Sequence, residues 1–131
     1  SNRPDSVISY DTNGTIIDNK SYKDGFSIDK TCADEMGRYI NENQQRLPGI
    51  PSNEWWKSFD DKVTNFTYLF ITSFLKGNFK KQLEYISTTH NSINGAAIGV
   101  DNLLYFAEYV KQGKLSYGDF YAKFQNDEMD I

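Results

Sequence analysis

The sequence predicts one mixed α/β domain with its sheet sandwiched between helices. Three observations carry this. Short apolar runs alternate with stretches of helical spacing along the whole chain. A strand-turn-strand pattern opens it. With 131 residues, nine Phe, nine Tyr and two Trp, the chain is large and apolar enough to bury a core of its own.

The elements follow in order. Residues 5–10 and 15–22 read as strands around a turn carrying Asn13-Gly14, a strong hairpin signal. Residues 30–46 read as a helix in which Ala33, Met36, Ile40 and Leu47 keep helical spacing, with Asp29 or Thr31 able to cap its start. "LPGIPSN" ends it, because two prolines and a glycine cannot continue a helix. "NEWWKSF" reads as a short helix capped by Asn53, and "FTYLFIT" as a buried strand. Gly77-Asn78 opens a helix through about His90, and "GAAIGV" is another strand. Asp101 is expected to cap a helix ending at Gly113, and Ser116 a last helix holding Phe120 and Phe124.

Composition narrows the function. A net charge of −4 argues against a free-standing nucleic-acid binder, though not against a catalytic module delivered to DNA by another domain. The single cysteine, Cys32, rules out an internal disulfide and fits a reducing compartment, so a cytoplasmic location is expected. The longest apolar run, near Phe66 to Ile71, is far too short to span a membrane.

The hairpin carries the chemistry. Asp18 and Lys20 share one face of its second strand with Ile16 and Tyr22. A two-residue Asn13-Gly14 loop would set Asp5 opposite Tyr22, too far along from Asp18. A four-residue loop, Asp11 to Gly14, would set it opposite Lys20. Asp18 is then its diagonal neighbour at roughly 7–8 Å, and the longer loop is the expectation. Two carboxylates at that separation suit a hard cation such as Mg²⁺, which takes oxygen ligands and keeps several waters. A lysine beside them suits an attacking water or a phosphate. Asp-x-Lys on a strand is more often a solvated charge pair. Lys76, Lys80 and Lys81 around Asn78 place positive charge at a helix start, either as DNA-phosphate contacts or as a solvated face. His90 and the aromatics of 105–124 read as structural, and Trp55-Trp56 as a packing anchor.

Pro4-Asp5 with Asp18-Asn19-Lys20 resembles the PD-(D/E)-x-K motif of a nuclease superfamily. "IIDNKSYKDGFSI", "ADEMGRYINENQQR", "NEWWKSF", "KGNFKKQLEYI", "NGAAIGV" and "GKLSYGDFYAKF", in that order, are similar to the cleavage domains of FokI-like type IIS restriction endonucleases. The resemblance implies a restriction-endonuclease-like mixed sheet flanked by helices. It implies Mg²⁺-dependent hydrolysis of double-stranded DNA, with Mn²⁺ able to substitute and no sequence preference in this domain. Asp5 and Asp18 match the metal-binding acids, Lys20 the catalytic lysine, and the Asn19 carbonyl a further metal oxygen. The whole of 1–131 is then one cleavage domain, expected to be a fragment lacking its N-terminal helices and its recognition domain. Asp34 and Arg38 match positions at a dimer interface, which implies a transient homodimer through helix 30–46. Gly37 fits that reading, since a mid-helix glycine admits close approach by another helix. Ser6, Ser73 and Leu75 depart from the family's residues. The rival readings are a non-catalytic dimerising or interaction domain that keeps the fold, and a repair or transposition nuclease of the same superfamily.

Overall fold

A computed structural model describes residues 2–20, 25, 27–73, 75–77 and 79–131. The strands are β1 (Ser6–Tyr10), β2 (Asn13–Lys20), β3 (Asn65–Thr72), β4 (Gly95–Gly99) and β5 (Asp127–Glu128). They form one sheet in the order β1-β2-β3-β4-β5. β1 runs antiparallel to β2, and β2 through β5 pair in parallel. The helices are α1 (Lys30–Gln45), α2 (Phe79–Thr89), α3 (Val100–Lys111) and α4 (Tyr117–Tyr121), with a 3-10 turn at Trp55–Ser58.

Strand alternation divides the core in two. Ile16, Tyr68, Phe70 and Ala97 face α1, α2 and the 3-10 turn, where Met36, Tyr39, Ile40, Trp55, Leu83 and Ile86 pack on them. Ile17, Leu69, Ala96 and Ile98 face the other way, onto Phe106, Phe120, Phe124 and Met129. The central strands are covered on both faces, which is why Tyr68 to Ile71 in the middle of β3 form an unbroken apolar and aromatic run. Tyr68 is fully buried, and its hydroxyl donates to the Leu83 carbonyl at 2.9 Å.

The turn of the hairpin differs from the expectation. Tyr10 pairs with Asn13 and Ser9 with Gly14, so the loop is the two residues Asp11 and Thr12. Asp11 takes a left-handed φ of 53°, which a short carboxylate side chain tolerates. Gly14 therefore lies inside β2, and packing requires it. A side chain there would press on Val63 and Phe59 at 2.7 and 2.8 Å. β2 ends at Lys20 among the described residues; Ser21 and Tyr22, expected to continue the strand, lie outside them.

Other local readings need adjustment. Asp29 caps α1 by accepting from the Cys32 amide at 2.8 Å. Leu47 falls beyond the helix end and is exposed. The "NEWWKSF" segment winds as a 3-10 turn, with Asn53 Oδ1 accepting from the Trp55 amide. Gly99 is the N-cap residue of α3, and Asp101 sits in its first turn. Ser116 caps α4 through a reciprocal bond pair with Asp119, but the helix stops at Tyr121, before Phe124.

Candidate active site

The site forms where the parallel strands end. Lys20, the last residue of β2, pairs across the sheet with Thr72, the last of β3. In open α/β sheets this carboxyl end is where ligands bind.

The hairpin delivers the first acid. Ser6 pairs with Ile17, and continuing that register by one residue sets Asp5 opposite Asp18 rather than opposite Lys20. The shorter loop thus brings the carboxylates closer than the expected diagonal. Asp5 Oδ2 accepts the Asn19 amide at 2.7 Å, which fixes the exposed acid to the strand beside it. Pro4 is buried, and the carbonyl of Arg3 accepts the Tyr39 hydroxyl at 2.8 Å. The segment entering β1 is therefore held from both sides.

Asp18 is only 3% exposed. Burial is the main reason its carboxyl is pushed up from an ordinary 3.8 to about 6; Lys20 opposes the rise and Asp5 adds to it. Lys20 Nζ lies 2.8 Å from Asp18 Oδ2. That close ion pair supplies the buried Asp18 Oδ2 with a positive partner, and Asp5 also interacts with the same carboxyl. A buried carboxylate normally keeps such a donor or cation beside it. Burial alone would lower the Lys20 ammonium, but Asp18 outweighs it and the group is pushed up. Lys20 therefore stays protonated at neutral pH.

Glu35 completes the cluster. Its Oε1 is 3.6 Å from Lys20 Nζ, so the ammonium sits between two carboxylates. Sequence reasoning missed this residue. Glu35 sits in the quoted "ADEMGRYINENQQR" beside Asp34, and only a fixed helix orientation distinguishes the neighbour that turns inward from the one that turns out.

Asp5, Asp18, Asn19 and Lys20 thus gather at one place. The oxygen donors fit a hard divalent cation, which needs few protein ligands if it keeps its waters. The remaining expected residues lie elsewhere. Lys76 is exposed just past β3, and Lys80 and Lys81 are exposed in the first turn of α2. Asn78 lies outside the described residues. On α1, Asp34 accepts Lys30 Nζ at 2.7 Å and Arg38 Nη1 donates to Glu42 at 3.3 Å, so the local partner of Asp34 is Lys30. Gly37 is buried, and a side chain on it would run into the His90 imidazole. The room it leaves is filled by this chain's own α2 end. His90 Nδ1 is 3.1 Å from Asn41 Oδ1, and burial pulls the ring below its ordinary pKa.

A mixed sheet with helices on both faces, and with acids and a lysine at its carboxyl end, defines the restriction-endonuclease-like class. A family model described as "FokI, cleavage domain" matches residues 1–130. The chain belongs to the FokI cleavage-domain family. It is 41% identical over 118 residues to the type II restriction enzyme FokI of Planomicrobium okeanokoites, covering 90% of this chain and 20% of that protein. It is 31% identical over 116 residues to the type II restriction enzyme StsI of Streptococcus sanguinis, covering 88% of this chain and 19% of that one. The chain therefore spans about a fifth of the length of these relatives. A solved structure of FokI superposes with a TM-score of 0.93 at 38% identity, over 100% of this chain and 24% of that one. FokI bound to DNA superposes with a TM-score of 0.91 at 39% identity, with the same coverage. Among the described residues, no helix is long and apolar enough to cross a membrane.

Proposed function

We propose that this chain is the DNA-cleaving module of a type IIS restriction endonuclease, hydrolysing phosphodiester bonds without sequence preference of its own. One observation carries the reading: in a FokI cleavage-domain chain, the buried Asp18 carboxylate stands beside Asp5 and Lys20 at the carboxyl end of the parallel strands. Asp5, Asp18 and the Asn19 carbonyl would hold Mg²⁺, with Mn²⁺ able to replace it. When bound, the ion supplies Lewis acidity toward a phosphate and its waters. Lys20, held protonated by Asp18, cannot serve as the base. Its role is to place positive charge and donated hydrogen bonds on the phosphate or on the attacking water. The Asn19 amide keeps Asp5 aimed at the same point.

The partner is double-stranded DNA, with the strongly similar fold of a DNA-bound enzyme as support. Lys76, Lys80 and Lys81 are candidate phosphate contacts on that side of the sheet. Target choice falls to a separate recognition domain, in keeping with the acidic charge of this module and the fifth of its relatives' length that it spans. Two copies cut the two strands, meeting transiently through Asp34 and Arg38 of α1, both exposed. A buried Cys32 thiol outside any disulfide agrees with a cytoplasmic setting.

The test uses the chain carried by a DNA-binding module. Lys20→Ala should still fold but melt below the parent at neutral pH, because buried Asp18 loses its ammonium, and it should lose most cutting at a temperature where it is folded; Lys20→Arg should also cut poorly because a planar fork does not replace an ammonium. Near-parental cutting by Lys20→Ala would refute the assignment.

A further inference from the structure

The ammonium of Lys20 has a difficulty built into it. Its close partner, Asp18 Oδ2, is the same buried oxygen that is offered to the cation. A cation arriving there repels the ammonium, and a lysine with four rotatable bonds then gains entropy by swinging to solvent. Glu35 removes this difficulty. It approaches from α1, and the Lys20–Glu35 pair is sheltered, with side chains 17% and 23% exposed. The neighbouring Lys30–Asp34 pair on the outer face of the same helix is 88% and 59% exposed, where an ion pair contributes little.

The helix that carries Glu35 is itself anchored at the site. Asp29 fixes its first turn. Tyr39 lies four residues beyond Glu35, hence on the same helix face, and holds the Arg3 carbonyl next to Pro4-Asp5. One face of α1 thus touches both halves of the constellation.

We infer that Glu35 is a positioning residue: it holds the Lys20 ammonium in place when Asp18 turns to the cation. This rests on the nuclease reading above. The test compares Glu35→Gln with the parent in cutting by the chain carried on a DNA-binding module and in Mn²⁺ calorimetry on the chain alone. Mn²⁺ affinity should stay within about twofold, and the melting temperature should hold. Turnover at saturating Mn²⁺ should fall about tenfold to a hundredfold, the range expected for a displaced catalytic group, with little change in KM for DNA. Glu35→Asp, which keeps the charge, should recover part of the loss. Parental turnover in Glu35→Gln would overturn the inference, and so would a fall in Mn²⁺ affinity, which would make Glu35 a ligand. Lys20→Ala run alongside separates the levels. If it cuts normally, the nuclease reading of Lys20 fails. If it is dead while Glu35→Gln is fully active, only the positioning role fails.

Discussion

Asp18→Asn should make the metal-free protein more stable at neutral pH while abolishing its cutting. Asp18 is 3% exposed, and its carboxyl titrates near 6 in the fold against an ordinary 3.8. The folded state therefore takes up the proton first as pH falls. Below 3.8 the group is neutral in both states and costs nothing. Between 3.8 and 6 stability declines as pH rises, because the unfolded chain ionises first, and above 6 the penalty is constant. A difference of about two pH units corresponds to about 3 kcal/mol of penalty for the charge at pH 7. Asn has the shape of the neutral acid and avoids that cost, while Glu35 still neutralises Lys20. For a chain of this size the gain is roughly 10 °C in melting temperature. The assay is thermal unfolding in chelator at pH 7.5 and again at pH 4, where the two proteins should converge. Adding Mn²⁺ should then raise the melting point of the parent and leave that of the variant alone. An Asn variant that melts at or below the parent at pH 7.5 would refute the reasoning, since the buried charge would then be fully compensated.

Two further outcomes follow from α1. Gly37→Ala should destabilise the parent, because the new methyl group displaces His90, yet should stabilise a His90→Ala background by up to about 1 kcal/mol, the helix preference of alanine over glycine; thermal melts of the four proteins close the cycle. In paired DNA-targeted fusions, Asp34→Arg alone and Arg38→Asp alone should each cut poorly, because like charges would meet across a two-fold axis. Mixing the two should restore cutting; single variants that cut like the parent would place the contact elsewhere.

Much of the architecture was legible because periodicity reports burial. The apolar β3 run and the Met36–Ile40 stripe state their environments directly. The ordered motifs made Asp5, Asp18 and Lys20 readable as a set. Register was not legible. Asn13-Gly14 has strong turn chemistry, but crowding by Phe59 and Val63 from far along the chain claims the glycine for a strand interior, and Asp11 supplies the turn. The packing of Gly37 against His90 was not legible for the same reason, since His90 lies outside any local window. β5 is two residues long and exists only through its pairing with β4, so no pattern announces it. Glu35 needed the helix rotation as well as its start and end.

The hairpin places the two acids in each other's company early in the life of the chain. The Asn19–Asp5 bond spans only 14 residues, and a hairpin closes within microseconds. What surrounds it comes from far away: the Thr15–Thr67 bond between β2 and β3 spans 52 residues. A nascent chain therefore presents a loose pair of carboxylates long before β3 docks and buries Asp18. On the proposed reading, the two acids are brought together by a local hairpin, whereas the burial that sets Asp18 apart depends on a strand from far along the chain.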